Sequence, residues 1–251
     1  MTVAGTGTDL CSYLPWDSEF FKKRIARVTR TKLNESEVRE LLAWCEENQI
    51  DCLYWLADDT ETALARQHGF KEVDVRMTFE REVNAEDRDF HEPEGCCIRP
   101  ASGQDLDRLR EMARVLHHDT RFYFDKNFDR AQCDLLYETW IEKSCQGWAQ
   151  AVFVAEANGE LAGYVSCHIG GEKAQGNETM IGLLGVAEAH SGKGLGSALV
   201  RKFLAWSAEL GSRRATVVTQ GRNLAAQRLY QRCGFQPFSS QIWFHRWFTR
   251  P

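Results

Sequence analysis

The chain has 251 residues, of which 43% are hydrophobic and 27% charged, with a net charge of -5 and a pI near 5.9. That length accommodates one large or two small domains, and eight tryptophans supply material for a substantial core. The acidic balance gives no electrostatic footing for nucleic acid or an anionic membrane, and no apolar run approaches the length that crosses a bilayer.

Residues Met1–Asp9 lack a basic region followed by an apolar one, so they are expected to be a short flexible lead rather than a secretory signal. Leu64–Phe70, a helical pattern ending in Gly-Phe, is followed by an alternating strand at Val73–Glu80. Residues 82–95 are polar, acidic and aperiodic, and read as a linker. Cys96–Leu106 has the pattern of a strand followed by a capped helix. Asn158-Gly159 between Val152–Glu156 and Leu161–Cys167 is a hairpin signal. An apolar strand from Ile181 then enters a turn with glycines at 192, 194 and 196. A helix follows at once, with Leu195, Leu199, Phe203, Trp206 and Leu210 on one face. Ala215–Thr219 reads as a strand. Asn223 is an N-cap and Gly234 a C-terminal stop for the next helix, and a strand at Gln241–Trp247 ends the pattern.

Glycines at a strand-to-helix junction let the backbone approach a ligand closely, and the helix N-terminus behind them offers unpaired N–H groups to an anion. Pyrophosphate suits that arrangement. Lys193 is followed by Gly194, so the G-x-x-x-x-G-K-[ST] spacing of a P-loop is absent. Gly192, Gly194 and Gly196 read G-x-G-x-G rather than the dinucleotide fingerprint. Nine cysteines, an odd number with no C-x-x-C pair, point to a reducing, cytoplasmic compartment. Those at 45, 133, 145 and 233 fall in helical patterns as small buried hydrophobes. His117-His118 has no cysteine cluster at ligand spacing, so no metal is expected.

The glycine loop at 192–197, with the Asn223-Leu-Ala-Ala-Gln-Arg-Leu-Tyr-Gln-Arg-Cys-Gly-Phe235 segment, resembles the acetyl-CoA signature of the GCN5-related N-acetyltransferases (GNAT) over about the last third of the chain. The resemblance implies an α/β (α+β) GNAT fold, with a mixed central sheet flanked by helices. It implies acetyl-CoA held by Leu183, Leu184, Gly185, Val186, Gly192, Lys193, Gly194, Leu195, Gly196, Ser197, Asn223 and Tyr230. It further implies that Tyr230 is the general acid for the leaving thiolate, with main-chain N–H groups at Leu184–Gly185 orienting the thioester carbonyl. The chain departs from the family at Ser191, where Arg or Gln is usual, and at Glu188, where Pro is common. The loop amides do not depend on those side chains.

Leu64–Phe70 with its strand repeats the pattern of Leu229–Phe235 with its strand, Ala65 standing where Tyr230 stands, and no glycine loop precedes it. Residues 1–84 therefore read as a truncated GNAT-like domain, 85–95 as an acidic linker and 96–251 as the complete domain. The Tyr13–Lys22 opening, the Asp119–Phe124 segment and Tyr137–Lys143 are similar to the dTDP-fucosamine N-acetyltransferases, which likewise carry a partial domain ahead of a complete one. That branch implies a nucleotide-linked deoxyamino sugar as acceptor and places Asp74 as the group receiving its proton, where the domains meet; His117 and His118 are alternatives for that proton. Arg121 could pair with the substrate diphosphate, while Phe122, Tyr123 and Tyr137 could pack against its rings. No cysteine is placed as an acyl carrier, so transfer in a ternary complex is expected. The competing readings are a peptide or protein N-terminal acetyltransferase and a non-catalytic acyl-CoA-binding module. Oligomeric state is left open, with a homodimer among the options.

Overall fold

The structure is a computed structural model that describes residues 9–170 and 178–248; most of the expected N-terminal lead lies outside them. In chain order the elements are β1 (Cys11–Tyr13), α1 (Pro15–Phe21), β2 (Ile25–Val28), α2 (Glu35–Glu47), β3 (Cys52–Ala57), α3 (Thr62–Gln67) and β4 (Lys71–Glu82). There follow β5 (Cys96–Pro100), α4 (Leu106–Leu116), α5 (Arg121–Phe124), α6 (Arg130–Lys143), β6 (Ala151–Ala157), β7 (Glu160–Ile169) and β8 (Glu178–Val186). The chain ends with α7 (Leu195–Glu209), β9 (Arg214–Gln220), α8 (Leu224–Arg232) and β10 (Gln236–Trp247).

The chain forms two compact units. The first comprises residues 1–76, 120–128 and 240–251. Its strand β3 is buried at every position but Leu56, a continuous apolar run suited to a strand covered on both faces. β3 runs parallel to β2 in the register Ile25↔Cys52 and antiparallel to β10 from Ile242↔Ala57 to Trp247↔Cys52. Asn34 caps α2 by accepting the N–H groups of Ser36 and Glu37, and Glu37 returns the bond, a capping box that fixes where the helix begins. Val38, Leu41 and Cys45 then recur at helical spacing and are buried with Phe70 and Phe244.

The second unit, residues 77–119 and 129–239, carries the glycine loop. β5, β6, β7 and β8 are successively antiparallel, and β8 runs parallel to β9 from Glu178↔Arg214 to Ile181↔Val217. The hairpin expected at Asn158-Gly159 joins β6 to β7, both residues having positive φ, 54° and 79°. α7 buries Leu195, Leu199 and Phe203 against Val165, Cys167, Ile181 and Val217. Leu210, the last residue of the expected stripe, lies beyond the helix end and is exposed.

Three expectations change. The units divide at Arg76/Met77, inside the unbroken strand β4, and the tail of β10 belongs to the first unit through its pairing with β3, so the boundaries differ from 1–84 and 96–251. A continuous strand carries no compositional break at which to read such a boundary. Residues 85–95 are not a free linker. Ala85–Arg88 form a 3-10 turn in which Asp87 pairs with Arg81 at 2.6 Å and Arg88 donates to the Ala208 carbonyl at the end of α7. Cys145 is exposed, in the turn Ser144–Trp148 that follows the end of α6 rather than on a packed helix face.

The pattern repeated in the sequence is also repeated in local structure. α3 and α8 are each followed by a left-handed glycine, Gly69 (φ 75°) and Gly234 (φ 85°), then a buried phenylalanine, Phe70 or Phe235, then a twelve-residue strand.

Candidate active site

At the entry to α7, Gly192 (φ 75°) and Gly194 (φ 86°) adopt the left-handed region, and a Cβ at either position would meet nothing within 4 Å. Packing therefore does not select glycine here. The backbone conformation does, and it keeps the approach to the helix open. Gly194 is the N-cap and provides no side-chain cap, so the first-turn N–H groups of this fifteen-residue helix face outward with the positive end of its dipole. Gly196 has a different reason: a Cβ there would press on Leu229 of α8 at 3.1 Å.

This loop forms one wall of a cleft of about 670 Å³. Leu184, Gly185 and Val186 of β8 contribute another wall, and Gly192, Gly194, Gly196, Ser197 and Asn223, also implied by the family resemblance, line the cleft with them. The pairing of β8 with β9 has its last register position at Ile181↔Val217, and the cleft begins three residues further along β8. Asn223 Oδ1 caps α8 by accepting the Ala226 N–H at 3.0 Å, which leaves its amide NH₂ for a ligand.

Four implied cofactor residues are not in the cleft wall. Leu195 is buried in the core, and Lys193 turns back so that its ammonium donates to the Ala189 carbonyl at 2.9 Å. Leu183 donates its N–H to Ser166 Oγ at 2.8 Å. Tyr230 is 5% exposed, its ring beside Phe79 and Phe235, and burial raises its phenol well above the ordinary tyrosine range. It is protonated at any working pH.

The cleft also contains residues that motif reasoning passed over. Leu116, His190, Arg228 and Arg232 line it, beside Ser191. The two arginines stand four apart on α8, on the exposed side of the helix, and supply cationic groups that Ser191 lacks. The i, i+4 spacing was available in the sequence; that this face of α8 borders the glycine loop was not.

On the sheet face that packs α4, His117 shares a 2.7 Å hydrogen bond with the Tyr164 hydroxyl and stacks on Tyr137. Burial, with His118 adjacent, lowers the His117 pKa to about 4. It is held as a packed, neutral imidazole. Tyr137 is 3% exposed, so it is a core ring rather than a free stacking surface. His118 is exposed and bonds the Arg114 carbonyl.

Asp74 and Arg121 lie in the first unit. Asp74 is 4% exposed on β4. The Arg121 guanidinium is enclosed by Tyr54, Phe122 and Trp243 at 4.1, 4.3 and 4.2 Å from their ring centroids. It donates to His245 Nε2 at 2.7 Å. Since arginine only donates, His245 presents Nδ1–H to Asp125 at 2.6 Å, and Trp247 Nε1 donates to the same carboxylate oxygen at 2.7 Å. Burial lowers His245 to about 4, against the opposing pull of Asp125. Burial would raise Asp125, but the bonds from His245 and Trp247 outweigh it and hold the carboxyl at about 2. Phe122 is buried in the same cluster, while Tyr123 is partly exposed.

Among the described residues no group of three or more His, Cys, Asp or Glu is arranged to hold a metal, and no helix is long and apolar enough to cross a membrane.

The acetyltransferase (GNAT) family profile matches residues 111–235, which contain the glycine loop and all of α8. Over 150 residues the chain is 26% identical to the spore coat polysaccharide biosynthesis protein SpsD of Bacillus subtilis, covering 60% of this chain and 50% of that protein. It is 33% identical over 90 residues to the 5-NmdU N-acetyltransferase of Pseudomonas phage PaMx11, covering 36% of this chain and 58% of that one. The chain thus spans about half the length of these curated relatives. A GCN5-related N-acetyltransferase structure from Sphaerobacter thermophilus superposes with a TM-score of 0.62 at 16% identity, over 94% of this chain and 76% of that one. Sheet order, glycine loop, cleft and family match agree, and residues 111–235 form an acetyltransferase domain with the GNAT fold.

Proposed function

We propose that the protein moves the acetyl group of acetyl-CoA to the amine of a nucleotide-linked deoxyamino sugar, directly, in a ternary complex. The observation that carries the cofactor half is the uncapped α7 N-terminus, opening through Gly192 and Gly194 into the cleft shared by β8 and α8. Two relatives support a small-molecule acceptor, one named for polysaccharide biosynthesis and one for N-acetylation of 5-NmdU. The similarity of Tyr13–Lys22 and Asp119–Phe124 to an amino-sugar branch supports the finer choice.

In this reading the neutral amine attacks the thioester carbonyl, main-chain donors at Leu184–Gly185 stabilise the oxyanion, and Tyr230 protonates the departing thiolate. Arg121 and Tyr123 are the proposed acceptor contacts of the first unit, and Asp74 the proton acceptor that the resemblance implies. Incubation with acetyl-CoA and a panel of dTDP- and UDP-linked amino sugars, following thiol release, tests the assignment. Initial-rate lines at several acetyl-CoA concentrations should intersect. Parallel lines would contradict direct transfer, and acetylation of peptides but of no sugar nucleotide would replace the acceptor class.

A further inference from the structure

β8 carries one residue more than β7 at a single point. Val165 pairs with Leu184 and Cys167 with Ile181, so Ser166 alone opposes Gly182 and Leu183. This bulge turns Gly182 outward, exposed, on the strand that continues into the cleft wall at Leu184. Gly182 is also where a side chain is excluded: a Cβ would overlap the His168 imidazole and come within 2.8 Å of Ser166 Oγ. His168 Nε2 lies 3.5 Å from that hydroxyl, which itself accepts the Leu183 N–H. The imidazole lies over Gly182, where Nε2 and Cδ2 occupy the space a Cβ would take. The Trp148 indole, 55% exposed, stands edge-on to the imidazole at 6.1 Å.

We propose that the outer face of β8 at Gly182 is the acceptor subsite, where His168 Nε2 receives the proton of the attacking amine and Trp148 bounds the acceptor ring. The proposal rests on the acetyl-transfer reading above and puts His168 in place of Asp74 as the acceptor of the amine proton. Gly182 is two residues from Leu184, roughly 7 Å along a strand. An amine nitrogen about 3 Å from Nε2 and about 3 Å from the acetyl carbon spans that distance. The amine lone pair forms the new C–N bond, its proton passes to Nε2, the C–S bond breaks, and the thiolate takes the Tyr230 proton. Ser166 from β7, Gly182 from β8 and Trp148 from the turn after α6 meet the ring. Burial lowers the imidazole pKa, opposed by its bond to the Trp148 main chain, and so favours the neutral, proton-accepting form. His117 is packed between Tyr164 and Tyr137, whereas His168 is partly exposed on β7, beside the bulge of β8.

The test uses the full chain, acetyl-CoA, and dTDP- and UDP-linked amino sugars, free amino sugars and a peptide amine. His168→Gln should keep the wild-type thermal shift with CoA while kcat falls about 100-fold. The acidic limb below pH 6.5 should vanish with it. Trp148→Ala should raise the acceptor KM more than it lowers kcat, and Gly182→Ala should mimic His168→Gln by displacing the ring. A His168→Gln protein with wild-type kcat and an intact limb overturns the proposal. So does one whose CoA shift is lost in step with its rate, since that marks a structural role. If the wild type uses the peptide amine alone, the sugar assignment falls, and His168→Gln on that amine still decides the proton acceptor. If it acetylates no amine, both readings fall.

Discussion

Arg81 Nη1 donates to the Cys233 carbonyl at 3.2 Å, closing the C-terminus of α8. Arg246 Nη1 makes the corresponding bond to the His68 carbonyl at the end of α3, at 2.5 Å. Each arginine comes from the strand that follows the other helix in sequence: Arg81 lies on β4, after α3, and Arg246 on β10, after α8. Both satisfy a terminal carbonyl that the helix leaves unbonded, beside the left-handed glycine.

Gly234→Ala is therefore expected to cost stability twice, through the φ of 85° and through a Cβ that would lie 3.3 Å from Arg81 Nε. A loss of about 1–2 kcal/mol is expected, lowering Tm by several degrees in a chain of this size. An unchanged Tm in calorimetry would show that the α8 terminus relaxes without strain.

Gly194→Val separates folding from cofactor binding. Open space surrounds the position, so the variant should fold, with a penalty of about 1–2 kcal/mol for a branched residue in the left-handed region. The isopropyl group should block the approach to the α7 N-terminus and abolish thermal protection by CoA. Undiminished protection would remove the loop from the pyrophosphate site.

Arg228 and Arg232 provide a second test of the cleft. Both are exposed, so solvent and salt screen them, and each should contribute modestly to binding an anionic cofactor. Arg228→Ala or Arg232→Ala should weaken CoA binding about fivefold at low salt and less at 0.5 M. Titration calorimetry showing no change, or no salt dependence, would exclude them as partners of the phosphates.

These cases show where the sequence sufficed. The glycine loop, the Asn223 cap and the Asn158-Gly159 hairpin are local devices written in adjacent residues, and each forms at its expected place. Arg228 beside the loop, the Ser166 bulge and the enclosure of Arg121 by Tyr54, Phe122 and Trp243 depend on strand register and long-range packing. A one-residue offset between β7 and β8 reverses which face a side chain takes, and no periodicity in either strand announces it. Residues 85–95 differ from a free linker for a related reason: Asp87 pairs with Arg81 and Glu92 accepts the Ile98 N–H, partners that composition does not disclose.

Acid should destabilise the fold before it protonates the carboxylates. His117 and His245 titrate near 4 in the folded chain and near 6.5 when unfolded. Between those values the unfolded chain binds protons that the native one refuses, so stability present above pH 6.5 is lost as pH falls towards 4. The shift on a buried histidine corresponds to at most about 3 kcal/mol. Asp125, held at about 2, adds a further loss at lower pH. His245→Gln should flatten the Tm profile between pH 6.5 and 4. A profile as steep as the wild type would mean that His245 already titrates normally.

Tyr230→Phe bears on the chemistry itself. Because burial among Phe79 and Phe235 keeps the phenol protonated, removing its oxygen leaves the packing nearly intact and takes away only a proton donor. The variant should melt within a few degrees of the wild type, keep its CoA shift and turn over about 100-fold more slowly. Asp74→Asn, paired with it, distinguishes the two candidate proton acceptors. If His168 receives the amine proton, Asp74→Asn keeps the acidic limb that His168→Gln abolishes; if Asp74 does, the pattern reverses. A Tyr230→Phe enzyme with wild-type turnover would reduce the tyrosine to a packing residue and require another donor for the thiolate. The pH profiles of these three variants, recorded on one acceptor at saturating acetyl-CoA, assign the proton entering and the proton leaving the tetrahedral intermediate.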